Sequence, residues 1–161
     1  MKLVVLSRVQ AEKYQIRDTV KHAIISIRGP WQAESQLRPL PGLLGVLRLV
    51  YDDVEYQRPN YVLMSPEQAD QVVAFADEMR EKGAKIMICH CEAGICRSAA
   101  TAAALCRLYD IDDDVFWERP FLPNMLVYKR VIGAILRGVL RRRFMQPAWA
   151  RKIPLGTGAA S

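Results

Sequence analysis

The chain has 161 residues, 51% hydrophobic and 25% charged, with a formal net charge of +6. That length suits one domain with a single core, and the composition is too apolar and too mixed in charge for a disordered polymer. No apolar run reaches the roughly 18–20 residues of a membrane span, and the apolar core of Met1–Ser7 is too short for a secretory leader, so a cytoplasmic, soluble protein is expected.

Lys2–Ser7 reads as a short buried strand, followed by a helical pattern over about 10–20. Ala23–Ile27 is a second apolar strand, and residues 29–42 are loop-like, with Pro30, Pro39 and Pro41 breaking any regular pattern. Leu43–Tyr51 reads as a third strand that ends in Asp52-Asp53. Ser65-Pro66-Glu67-Gln68 is a helix start, with Ser65 as N-cap, Pro66 at the first helical position and Gln68 closing a capping box. This helix should run to about Lys82 and stop at Gly83. Lys85–His90 is the most strand-like stretch of the chain. Ser98–Tyr109 reads as an alanine-rich helix suited to close packing on a sheet, and 124–144 as a last helix. The pattern predicts an α/β domain over 1–145, with a central, mostly parallel sheet flanked by helices. Residues 146–161, with two Pro and two Gly, read as a loosely ordered tail.

Charge and cysteine are unevenly placed. Residues 1–118 sum to −3, whereas 119–161 contain no acid and sum to +9, including Arg137, Arg141, Arg142 and Arg143. This basic end reads first as a solvated helix face whose cations suit a helix C-terminus. Read instead as a patch for nucleic acid or a phosphorylated partner, it lacks interleaved aromatic residues, so a nucleic-acid partner is not favoured. Three of the four cysteines, Cys89, Cys91 and Cys96, lie within eight residues. With no secretory leader, this crowding points to chemistry rather than a disulfide framework.

The chemistry centres on His90-Cys91-Glu92-Ala93-Gly94-Ile95-Cys96-Arg97-Ser98. Its combination of His, Cys, Gly, Arg and Ser at these spacings is expected by chance roughly 10⁻⁵ times in a chain of this composition. A strand ends at Cys91, a tight loop follows, and a helix starts near Ser98. Such a loop turns backbone N–H groups inward, and the helix N-terminus adds positive potential, so an oxyanion of phosphate size fits there. Cys91 at the floor feels the same field, which favours its thiolate. Arg97 offers a planar fork for two oxygens at once, and Gly94 permits the turn.

His90-Cys91-x5-Arg97-Ser98 resembles the active-site signature of the protein tyrosine phosphatase superfamily. Ala93-Gly94-Ile95 and the alanine-rich helix are most similar to its dual-specificity branch, and Arg119-Pro120-Phe121-Leu122-Pro123-Asn124 resembles that branch's Arg…Pro-Asn segment. The resemblance spans about 20–143. It implies a cysteine phosphatase that needs no metal or other cofactor and acts on phosphotyrosine, with phosphoserine and phosphothreonine as further protein substrates. Cys91 is then the nucleophile, with Arg97 and the loop amides of Glu92, Ala93, Gly94, Ile95 and Cys96 holding the phosphoryl oxygens. Ser98 assists the departure of Cys91, while His90 and Asn124 support the loop. The general acid falls on Asp53 or Asp52. Strand alternation favours Asp53, and Glu55 is a distant third.

Other readings remain beside this one. The substrate could be a non-protein phosphate ester such as an RNA 5′-phosphate, although acidic Glu92 and the absence of lysine in the loop argue against an inositol phosphate. A sulfurtransferase and a non-enzymatic phosphate-binding module are further alternatives. Zinc at Cys89, His90, Cys91 and Cys96 is disfavoured, because adjacent strand residues face opposite ways. Cys96 reads as an inert small residue or as a redox partner of Cys91. Cys89 and Cys106 read as core, and His22 as a surface or strand-edge residue.

Overall fold

The structure is a computed structural model that describes residues 1–145, with side chains as far as residue 140. In chain order the elements are β1 (Lys2–Ser7), α1 (Arg8–Lys13), β2 (His22–Arg28), β3 (Leu43–Val50), α2 (Pro66–Glu81), β4 (Ile86–Cys91), α3 (Arg97–Leu108), a 3-10 turn (Asp114–Trp117) and α4 (Met125–Met145). The four strands form one sheet in the order β1-β4-β2-β3, and every neighbouring pair is parallel. This is the α/β layering the sequence pattern predicts.

Alternation along the strands sorts the two faces of the sheet. Ala23, Ile25 and Ile27 of β2, with Met87, Cys89 and Cys91 of β4, join the main core. They meet α2 and α3, which pack on the sheet, and α4 packs across those two helices. His22, Ile24, Ser26, Ile88 and His90 point the other way and are also buried. On that side lie Ser35 of the 29–42 segment, bonded to both Ser26 and His90, and α1 against β1 and β4. Both faces of the central strands are covered, as a parallel sheet requires.

Local chemistry sets the helix ends. At α2 the capping box is complete: the Gln68 amide donates to Ser65 Oγ at 3.2 Å, and the Ser65 amide donates to Gln68 Oε1 at 2.8 Å. Gly83, at φ +88°, takes the left-handed conformation that ends the helix. On α3 the ten residues from Arg97 to Cys106 are all buried, and all but Arg97 and Leu105 are small, which suits a helix seated between a sheet and a second helix.

Two expectations are corrected. The helix expected over about 10–20 is only Arg8–Lys13. Ser7 caps it two residues early, with its own capping box to Gln10, and the chain turns extended at Tyr14 to return to the start of β2. His22, expected at the surface or a strand edge, is fully buried, and its Nδ1 bonds the Val20 carbonyl at 3.0 Å. The reason is strand order: β2 lies inside the sheet, between β4 and β3. In the basic C-terminal stretch, Arg137 pairs with Asp70 at 2.7 Å. The side chains of Arg141, Arg142 and Arg143, and all of 146–161, lie outside the described residues.

Candidate active site

In an all-parallel sheet the carboxyl ends of the strands share one edge, and loops leaving that edge meet. Here Ser7 ends β1, Arg28 ends β2, Val50 ends β3 and Cys91 ends β4. Cys91 is buried at the last position of β4, paired in register with Ser7. The next five residues form a loop, and α3 starts at Arg97.

That loop is seated on the end of β1. Gly94 adopts φ +72°, and a Cβ there would lie 2.5 Å from the Ser7 nitrogen and 2.7 Å from the Leu6 carbonyl oxygen. Both the backbone conformation and the close approach therefore demand glycine. The Arg8 amide donates to the Glu92 carbonyl at 3.1 Å, and the Arg8 side chain sits 3.8 Å from the exposed Glu92 carboxylate. On the other side, the Leu122 amide donates to the Ile95 carbonyl at 3.2 Å and the Asn124 amide to the Cys96 carbonyl at 3.3 Å. Ala93 is exposed and Ile95 half-buried.

Two side chains aim the first turn of α3. The Ser98 hydroxyl is 3.1 Å from Cys91 Sγ. Arg97 is 5% exposed and donates from Nη1 to the Tyr51 carbonyl at 2.8 Å, which ties α3 to the end of β3. Its Nε has no hydrogen-bond partner among the described residues and lies 3.8 Å from Asp53 Oδ2. A buried guanidinium N–H left without an acceptor is costly, and an oxyanion seated in the loop would satisfy it.

The two candidate acids have different surroundings. Asp52 is spent on its own loop: its amide donates to the Val62 carbonyl at 2.7 Å, and its carboxylate accepts from the Val62 amide at 2.8 Å. Asp53 faces the cradle, with Oδ1 accepting from Asn124 Nδ2 at 2.9 Å and Oδ2 turned toward Arg97. The Asn124 side chain thus reaches the loop that carries Asp53, while only its backbone N–H reaches the 92–96 loop. Glu55 is bonded to the Met125 amide at 2.7 Å, at the first residue of α4.

The remaining candidates sort by burial. Burial pushes the Cys96 thiol up to about 11, and the nearby Asp53 charge adds to this, so it stays protonated beside that carboxylate. Cys89, fully buried in the core, is pushed well above the usual thiol range, and Cys106 is held up to about 11 by burial. Burial lowers His90 to about 4, so the imidazole is neutral. Its Nε2 lies 3.4 Å from Ser35 Oγ, on the face of the sheet opposite Cys91, and a zinc set built from Cys89, His90 and Cys91 does not converge.

A cleft of about 310 Å³ opens beside the cradle, lined by Trp31, Gln32, Asp52, Asp53, Tyr61 and Arg97. The sequence reading missed Trp31, Tyr61 and the anchoring carbonyl of Tyr51. A tryptophan in an otherwise polar loop directly after Gly29-Pro30 was the available signal for the first. A slightly larger groove of about 330 Å³ lies between α2 and α4, but it is lined by no nucleophile, so the chemistry is assigned to the smaller cleft.

No protein-family model and no curated protein sequence matches this chain. Solved structures do. Human DUSP28 superposes with a TM-score of 0.57 at 19% identity, covering 86% of this chain and 94% of its own. The human tyrosine phosphatase-like serine/threonine/tyrosine-interacting protein gives 0.55 at 20% identity, covering 88% and 93%. PTPMT1 in complex with PI(5)P gives 0.57 at 14% identity, covering 88% and 94%. The fold is that of the dual-specificity phosphatases. Within this dual-specificity-phosphatase fold, Cys91, Arg97 and Ser98 occupy the junction of β4 and α3, and Asp53 the loop after β3.

Proposed function

We propose that this chain is a cysteine-dependent phosphatase that hydrolyses aryl phosphomonoesters, phosphotyrosine in proteins above all, through a phosphocysteine intermediate. One observation carries the reading: a buried cysteine 3.1 Å from a serine hydroxyl, at the floor of a loop whose arginine keeps an unpartnered N–H beside a carboxylate.

The Cys91 thiolate attacks phosphorus, the ester P–O bond breaks, and the leaving oxygen takes the proton carried by Asp53. Asn124 donates to Oδ1, which leaves Oδ2 to carry that proton. Arg97 and the inward amides hold the equatorial oxygens, where positioning and electrostatics supply most of the rate. Water then attacks the phosphocysteine, Asp53 takes its proton, and the thiolate departs with the Ser98 hydroxyl donating to it. No step calls on a metal.

The aryl preference rests on the cleft. Trp31 is 91% exposed and Tyr61 47% exposed, so two large aromatic faces stand unpacked where a leaving group would emerge, and aromatic pairing adds to simple area burial. Hydrolysis of p-nitrophenyl phosphate with EDTA present, followed by matched phosphotyrosine and phosphoserine peptides, tests the reading. Turnover should persist in chelator, vanish in Cys91→Ser and favour phosphotyrosine. Trp31→Ala should raise KM for aryl esters about tenfold, the equivalent of roughly 1.4 kcal/mol of binding. Retained turnover in Cys91→Ser would overturn the covalent mechanism, and a preference for an RNA 5′-phosphate or a phosphoinositide would overturn the substrate class.

A further inference from the structure

The loop carrying Asp53 is fastened at its stem and at its outer limb, and between them Asn124 Nδ2 ties Asp53 itself to the residue before α4. At its stem, Asp52 and Val62 exchange two hydrogen bonds, which close the loop on itself. At its outer limb, Glu55 Oε1 accepts from the Met125 amide at 2.7 Å, a contact spanning seventy positions of sequence. Met125 opens the 21-residue α4, whose first turn contains no acidic residue. A helix start leaves amides without intrahelical partners and favours negative charge. Asn124 Oδ1 takes the Val127 amide at 3.1 Å, and Glu55 supplies the carboxylate from another part of the chain.

The same short segment, 122–125, is bonded to the phosphate loop through the Ile95 and Cys96 carbonyls. The start of α4 therefore moves with the phosphate cradle. Whatever Glu55 grips, it grips in register with Cys91 and Arg97.

We propose that Glu55 is a positioning residue that latches the acid loop onto the N-terminus of α4 and so holds Asp53 over the cradle before substrate arrives. This rests on the phosphatase reading above for its catalytic consequence, though not for the latch itself. Glu55 touches neither substrate nor reacting atoms; it acts through Asp53.

The test compares kcat/KM for phenyl phosphate and p-nitrophenyl phosphate in wild type, Glu55→Ala and Glu55→Gln. This ratio reports only steps up to phosphocysteine formation. Phenolate needs a proton to leave and nitrophenolate hardly does. Glu55→Ala should lose roughly tenfold on phenyl phosphate, the scale of one hydrogen bond to a charged group, and under about twofold on the nitro ester. Glu55→Gln keeps the acceptor and should recover most of that loss. In an Asp53→Asn background the further change Glu55→Ala should cost nothing, because the proton donor is already gone. Equal losses on both esters, or an undiminished loss in the Asp53→Asn background, would overturn the proposal.

Amide hydrogen exchange of Met125 and of residues 53–62 is read on the same variants and needs no turnover. Faster exchange in Glu55→Ala is expected. Unchanged exchange would overturn the latch even in an active enzyme. Conversely, absence of turnover in wild type with faster exchange in the variant would sink the phosphatase reading and leave the latch standing.

Discussion

Adjacent side chains in this site receive opposite assignments from their hydrogen bonds. Asp52 and Asp53 are chemically identical, yet one carboxylate is consumed by the Val62 amide and the other is presented to Arg97. On the proposed mechanism, Asp53→Asn should therefore lower kcat/KM for phenyl phosphate about a hundredfold, at the lower end of what a general acid contributes. Asp52→Asn loosens the loop stem but leaves the proposed proton donor, so its loss should be roughly a tenth of that. Steady-state kinetics between pH 5 and 9 separates them. Strand alternation alone pointed to Asp53, because a period of two is a rigid property of extended backbone. The path of the Asn124 side chain was not legible, because its partner is seventy-one positions away and the packing of α4 decides it. The contact of Glu55 with α4 was hidden for the same reason: the sequence offers Glu55 only as a distant third candidate for the acid until the Met125 amide is placed in space.

Elements whose ends carry their own chemistry were legible, and those whose ends are set by the rest of the fold were not. The start of α2 is written in Ser65, Pro66 and Gln68, and both bonds of its capping box are present. The length of α1 depends on how far the chain must travel to enter β2, which no local pattern encodes. The phosphate loop belongs to the first kind, because Gly94 is demanded by φ and by contact with β1 at once. Gly94→Ala should push the loop off Leu6 and Ser7. The left-handed backbone alone costs roughly 1–2 kcal/mol with a Cβ, and the 2.5 Å approach adds to it. The expected result is a fall of several degrees in the melting temperature together with a loss of phosphate protection against thermal unfolding. A stable Gly94→Ala variant that still binds phosphate as wild type does would contradict this account of the loop.

On the scale of the whole molecule, stability should depend on acid through a residue that does no chemistry. Burial holds His90 at about 4 when folded, against an ordinary value near 6.5. The unfolded chain therefore takes up the proton first as pH falls. The contribution is complete above about pH 6.5 and is lost toward pH 4, at up to about 1.4 kcal/mol per pH unit. Denaturant midpoints measured from pH 7 to 4.5 should fall less steeply in His90→Asn than in wild type. Identical slopes would mean that the imidazole is not held neutral. The burial of the two histidines follows from strand order: His22 lies in β2 and His90 in β4, the two interior strands. A single sequence shows that strands exist without showing which of them lie inside.

The ten consecutive buried positions of α3 also determine where the protein can change. A methyl added to its buried alanines would press the helix against the sheet or α4 and disturb Arg97 and Ser98 with it, so the anion cradle is welded to a part of the chain that tolerates little change. The walls of the cleft include instead the exposed side chains of Trp31 and Tyr61, which can be exchanged without moving that helix. On the proposed function, substrate preference can thus drift at those two side chains while the cradle and the backbone that holds Asp53 stay put, and a designer seeking a new specificity would leave α3 alone and exchange Trp31 and Tyr61.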